Sequence, residues 1–200
     1  MKNTKIIGIT GTTGSGKSTL TKYLAQKNIP VIDADVLARE VVGKGNICLQ
    51  CIVAVFGKDI LNNDDTLNRK ALARKAFSSK ENTQKLNNII HPFIIMATLQ
   101  KADVLRKIHS LILIDAPLLF ECYMDILCDN TIAVICDKEI RKQRIMKRDN
   151  LTENEALARM NVQHDDSFYH NHADFIIDGG KTLEEVTIYA DSIMEKLTER

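Results

Sequence analysis

The sequence predicts an α/β fold built on a five-stranded, mostly parallel sheet flanked by helices, and three observations lead there. Five short apolar runs recur at 5–10, 29–33, 111–115, 131–136 and 174–178. They are apolar throughout rather than alternating, as strands covered on both faces are. Segments with helical spacing separate them, the pattern of an α/β chain rather than a sandwich or a bundle. Several runs end in an acidic residue, which sets Asp33, Asp35 and Asp115 along the carboxyl edge, where open α/β sheets bind ligands.

The first run, Ile6-Ile7-Gly8-Ile9 with its flanks, feeds directly into Gly11-Thr12-Thr13-Gly14-Ser15-Gly16-Lys17-Ser18, a complete G-x-x-x-x-G-K-[ST] phosphate loop. A helix pattern over 18–25 follows. Strand, glycine loop and helix together make the motif a mechanism. The glycines let N–H groups face inward around a β-phosphate, and the helix N-terminus favours the anion. Lys17 is placed to reach the β- and γ-phosphates and the Ser18 hydroxyl to ligate Mg²⁺, with Thr19 completing the cradle. The fold is therefore expected to be that of a P-loop NTPase, with ATP and Mg²⁺ as ligands.

The second run ends in Asp33-Ala34-Asp35. In extended chain alternate residues face opposite ways, so the two carboxylates should do different work. One can accept or orient an acceptor hydroxyl's proton, the role given to Asp35; the other can cap a helix over 36–42.

Between the second and third runs lies far more chain than one crossover helix needs. It reads as an inserted helical subdomain over about 36–107, with helices at 69–77 and 82–90, and His91-Pro92 should break or kink the chain there. Within it Cys48 and Cys51 form a C-x-x-C, but no second Cys or His pair follows to complete a zinc site. They read as small thiols on one helix face, without a function.

The third run ends at Asp115 in the manner of a Walker B acid, able to hold Mg²⁺ directly or through water. A strand-end Asp bonded to a neighbouring turn is the alternative.

After the fourth run, 138–148 carries six basic residues, and Arg141, Arg144 and Arg148 share a helix face. Arg144 and Arg148 are read as phosphate ligands that neutralise charge as the phosphoryl group leaves; Arg141 and Lys142 are read as a solvated face. A polar stretch over 149–172 looks like a helical lid. The core is then about 1–35, 108–148 and 173–200, all within a single domain of 1–200.

Composition narrows the function. Hydrophobic content of 44% with 26% charged residues describes an ordinary globular protein, and a net charge of +1 gives no electrostatic footprint for nucleic acid. No apolar run is long enough to span a bilayer. Residues 1–5 lead straight into the first strand and leave no room for a cleavable leader. Five cysteines, an odd number, fit a reducing compartment, so a cytoplasmic location is expected. No obligate protein partner is evident. There is no N-K-x-D guanine motif and no H-R-D or D-F-G, which argues against a GTPase and a protein kinase. Two other classes stay open: another small-molecule kinase of the same fold, and an ATP-binding module that has lost transfer.

Taken together these motifs resemble the dephospho-coenzyme A kinase family over nearly the whole chain. The resemblance rests on Ile9-Thr10-Gly11 with the loop through Ser18, Ile32-Asp33-Ala34-Asp35 with Ala38-Arg39, Leu67-Asn68-Arg69, His91-Pro92, Pro117-Leu118-Leu119-Phe120-Glu121, Gln143-Arg144, Arg148, Gln163 and 173–178. It implies transfer of the ATP γ-phosphoryl group to the ribose 3′-hydroxyl of dephospho-CoA, the last step of CoA biosynthesis. It further implies Asp35 as base, Thr10 and Arg144 at the active site, and Asp33, Arg69, His91, Pro117 and Leu118 on the acceptor side. The insertion would bind the acceptor and 149–170 would be the lid. Two departures stand out: Thr12 occupies a position where the family commonly has glycine, and Gly179-Gly180 stands where it often has Asn.

Overall fold

The computed structural model describes residues 4–198. Residues 1–3, on which the expectation of a leaderless start partly rests, and 199–200 lie outside the described residues.

All five expected strands form. β1 (Lys5–Gly11), β2 (Val31–Asp33), β3 (Leu111–Asp115), β4 (Asn130–Ile135) and β5 (Phe175–Asp178) make one sheet in the order β2-β3-β1-β4-β5. The register is parallel: Ile9 lies opposite Asp115 on one side and Ile132 on the other, and Val134 opposite Ile177. β1 is central because its side chains can be covered on both faces. Ile7 and Ile9 are fully buried with Leu113, Ile132 and Val134. Onto them pack Leu20 and Leu24 of α1 (Lys17–Gln26) and Val186, Ala190 and Ile193 of α9 (Leu183–Thr198). Each of the Val, Leu and Ile side chains contributes roughly 1.5–3 kcal/mol on burial. The central strand thus delivers the phosphate loop to the middle of the carboxyl edge.

The chain divides into two compact units, residues 1–32 with 104–200, and residues 33–103. The second has its own core of Val42, Cys48, Ile52, Phe56, Ile60, Leu72, Ala76 and Leu86. Most come from α3 (Ile47–Phe56), α4 (Arg69–Ala76) and α5 (Lys80–Leu105), after a short α2 (Ala34–Glu40), with Val42 and Ile60 from the connecting turns. Asn68 caps α4 by accepting from the Ala71 N–H at 3.0 Å. The expected break at His91-Pro92 does not occur: α5 runs unbroken through Pro92 for 26 residues. Proline in a helix interior costs about 3 kcal/mol. Burial of Leu86 before it and of Ile94, Thr98 and Ala102 after it holds the helix together across that point.

The lid expected over 149–172 consists of two short helices. α6 (Lys138–Asp149) stops at Asn150, which takes the left-handed conformation at φ 52°. α7 (Glu153–Asn161) opens on a capping box between Thr152 and Glu155, and α8 (Asp166–His172) is capped by Asp165. Ala156 and Met160 of α7 pack on Ile145 of α6. Among the described residues no helix is long and apolar enough to cross a membrane.

Candidate active site

The phosphate loop takes its shape from three glycines with positive φ: Gly11 at 151°, Gly14 at 78° and Gly16 at 103°. At Gly11 a Cβ would meet the Val134 carbonyl oxygen at 2.2 Å, so the close approach of β1 to β4 requires glycine whatever the dihedral. Thr12 and Thr13 have no positive φ, so the departure at Thr12 needs no left-handed backbone. Gly16 is the N-cap of α1 and supplies no side-chain cap, which leaves the first N–H groups of that helix open to an anion. The hydroxyls of Thr12 and Ser15 are buried and make no hydrogen bond in the protein. Buried orphan hydroxyls are costly. At a loop of inward N–H groups they fit an oxygen-rich polyphosphate with its water.

The loop's carbonyls are taken by arginines of α6. Arg144 Nη1 donates to Gly179 O at 2.8 Å, and lies 3.3 Å from Gly14 O and 3.4 Å from Ser15 O. Arg141 Nε donates to Thr13 O at 3.2 Å. The carbonyls of Thr13, Gly14 and Ser15 are thus approached by guanidinium groups, while the Ser15 N–H turns back onto Thr12 O at 3.1 Å. From the lid, Gln163 Oε1 accepts from the Thr13 N–H at 2.8 Å.

Two expectations for α6 are corrected here. Arg141, read as solvated, is buried, its side chain 8% exposed. Arg148, expected to be a phosphate ligand, is forked onto Asp149 with both contacts at 2.8 Å, and Arg159 joins that carboxylate at 2.6 Å. Lys142 is likewise not a free surface charge, since it bonds Glu139 and Glu153.

On the other side of the loop, Lys17 Nζ is ion-paired with Asp115, and both side chains are largely buried. Thr10, fully buried at the end of β1, donates through Oγ1 to the Pro117 carbonyl at 3.1 Å, tying the strand to the turn after β3. Leu118, next along that turn, is exposed. Ser18 and Thr19 sit in the exposed first turn of α1. The donors fit Mg²⁺ with a triphosphate: a hydroxyl at the mouth of the nest and a strand-end carboxylate. Mg²⁺ takes few protein ligands when phosphates and waters supply the rest.

The remaining candidates belong to the unit 33–103. The strand stops at Asp33, which caps α2 by accepting from Val36 N at 3.0 Å. Asp35 is therefore in the helix's first turn, not on the opposite face of an extended chain, and it is exposed. The helix spans 34–40 rather than 36–42 because the cap lies earlier. Arg69 is the exposed first residue of α4. His91 lies half-buried on α5, where burial pushes its imidazole below the usual histidine range. The structure thus brings together Thr10, the loop, Asp115, Pro117 and Arg144 in the sheet-bearing unit, while Asp33, Asp35, Arg69 and His91 belong to the helical one.

Arg141 and Asp166, neither singled out from the sequence, meet beside the loop. A signal for Arg141 was present: it is three residues before Arg144 and so on the same helix face. Gly179 was noted only as a departure. A Cβ there would lie 1.8 Å from Ser15 O, so glycine lets the turn after β5 back onto the loop.

A family model described as dephospho-CoA kinase matches residues 5–185. Among curated relatives, the dephospho-CoA kinase of Listeria innocua is 43% identical over 182 residues, covering 90% of this chain and 91% of its own. That of Oceanobacillus iheyensis is 38% identical over 194 residues, covering 96% and 98%. The solved dephospho-CoA kinase structure from Campylobacter jejuni superposes with a TM-score of 0.64 at 25% identity, over 98% of this chain and 99% of that one.

Proposed function

The chain belongs to the dephospho-CoA kinase family, and on that basis we propose how its residues divide the phosphorylation of dephospho-CoA at the ribose 3′-hydroxyl, with ATP as donor. The family match over 5–185 carries the choice of acceptor. The products are CoA and ADP.

Phosphoryl transfer passes through a loose transition state, so positioning and charge neutralisation do most of the work. The loop N–H groups of Gly14 and from Gly16 to Ser18 hold the β-phosphate. Lys17 stabilises charge on the γ-phosphoryl oxygens once ATP displaces its contact with Asp115, and Arg144 adds positive charge from the α6 side. The hold of Arg141 and Arg144 on the loop carbonyls supports those roles. Ser18 and Asp115 are the groups that would hold Mg²⁺, which supplies further neutralisation of phosphate charge. Thr10 fixes the turn at Pro117 and Leu118.

Asp35 accepts the proton of the acceptor hydroxyl or orients it, and its exposed position in the first turn of α2 supports this. Asp33 sets the start of that helix. Arg69 and His91 lie on the acceptor side, in a helical unit that binds dephospho-CoA. The stretch 149–172 closes on ATP and excludes water. The acceptor is a small molecule, with neither nucleic acid nor membrane involved. Five free thiols support a reducing, cytoplasmic location.

A panel of alcohols, including dephospho-CoA, nucleosides and sugars, assayed with ATP and Mg²⁺ tests the acceptor. The highest kcat/KM is expected for dephospho-CoA; a higher value for any other alcohol would overturn the assignment.

A further inference from the structure

We propose that Arg141 is a positioning residue for this reaction: it holds the phosphate loop in its binding shape and links that shape to the docking of α8 through Asp166. The proposal rests on the kinase reading above.

Three contacts carry it. The guanidinium of Arg141 donates from Nε to Thr13 O at 3.2 Å, and its Nη1 lies 3.6 Å from Asp166 Oδ1 at the start of α8. Its backbone is equally close to the loop: a Cβ on Gly14 would meet Arg141 O at 2.9 Å and Arg141 Cα at 3.2 Å. Arg141 therefore bears on two successive loop residues, one through its side chain and one through its main chain. Gln163 holds the other polar group of Thr13, its N–H. Gln163 and Asp166 flank the joint between α7 and α8, so both main-chain groups of Thr13 are tied to the lid, one directly and one by way of Arg141.

The physical need is clear. Three glycines give the loop many conformations when it is unbraced, and each ordered residue costs about 1–2 kcal/mol of backbone entropy. Arg141 is buried, so its charge needs a partner. Asp166 Oδ1 is buried too and accepts no hydrogen bond, so the Arg141 guanidinium is its compensating charge. Loss of α8 docking would release Arg141, and a released Arg141 would free Thr13 O to rotate inward, where it would face phosphate oxygens with the wrong polarity. A lysine in its place has one compact donor group and cannot serve Thr13 O and Asp166 together.

The test compares the parent chain with R141M, R141K, D166N and the pair R141M/D166N, by calorimetric titration of ATP with Mg²⁺ and by steady-state kinetics. Loss of one charge-assisted bond predicts a rise of about tenfold in the ATP Kd of R141M. The KM for dephospho-CoA should stay within about twofold, because the acceptor is bound elsewhere. R141K should recover part of the loss, D166N should weaken ATP by a smaller factor, and the double variant should be no worse than R141M. An ATP Kd of R141M close to that of the parent would overturn the proposal. So would equal rises in both KM values, or additive losses in the double variant. Should R141M fail to fold, the ATP Kd values of R141K and D166N decide the matter. A parent chain that binds ATP but does not phosphorylate dephospho-CoA would overturn the acceptor assignment alone, since the titrations with ATP need no acceptor.

Discussion

Lys17 of the phosphate loop keeps its ammonium against the carboxylate of Asp115 at the end of β3. The two groups expected to meet the γ-phosphate and the metal thus compensate each other's charge in a largely buried site. Replacing Lys17 removes transition-state charge stabilisation and strands Asp115. Lys17→Ala should lower kcat by at least about a hundredfold, and its far-ultraviolet circular dichroism should match the parent's. Turnover near the parent's would refute the role.

Asp35 gives the complementary prediction. Asp35→Asn keeps the size and removes the proton acceptor, so kcat should fall with the KM for ATP little changed. In a loose transition state the base is a modest term, so a loss of about ten- to a thousandfold is expected. A change confined to the ATP KM would contradict the assignment.

How much of this was legible in the chain differs from residue to residue. The strands and the loop could be read because their signals are local: unbroken apolar runs such as Leu111 to Ile114, and glycines at fixed offsets before Lys17. The fate of Arg141 could not, because whether a basic residue on a helix is solvated depends on what packs over it, here Gly14 and α8. The Arg148–Asp149 pair was not legible either, because helix spacing does not reveal a partner at the next residue. Pro92 misled because tertiary burial along α5 outweighs the local propensity. Asp35 was singled out on a strand-face argument that the early helix start removes.

Gly179 is a sharp test of packing behind the loop. Gly179→Ala would set a Cβ 1.8 Å from the Ser15 carbonyl, so Ser15 and the turn must part. Overpacking of this kind costs about 1–3 kcal/mol. ATP affinity should fall with stability, since Arg144 bonds the Gly179 carbonyl as well as approaching the loop. Thermal melting and ATP titration of this variant would check both; parent-like values of both would contradict the geometry.

The lid prediction concerns order. If 149–172 closes over ATP, amide hydrogen exchange there should slow when ATP and Mg²⁺ bind, while β1 and β4 exchange slowly in either state. Thr152→Ala, which removes the capping box of α7, should speed exchange in that helix by about fivefold, equivalent to about 1 kcal/mol. Unchanged exchange over 149–172 on ATP addition would contradict closure.

The C-x-x-C pair predicts a pH effect without a redox role. Burial pushes the Cys48 thiol up from an ordinary value of about 9 to about 11. The folded state holds the neutral thiol, so this stabilising difference is intact below about pH 9 and fades as the pH rises towards 11. Cys48→Ala should therefore flatten part of the alkaline fall in Tm over that window. Identical alkaline profiles for the two proteins would count against the burial argument.

The most direct measurement is phosphorus NMR of the products after incubation with ATP, Mg²⁺ and dephospho-CoA. The account predicts a new ribose 3′-phosphomonoester signal appearing in step with ADP, and its loss in Lys17→Ala. ADP formed without that signal, or the signal formed equally well by Lys17→Ala, would contradict it.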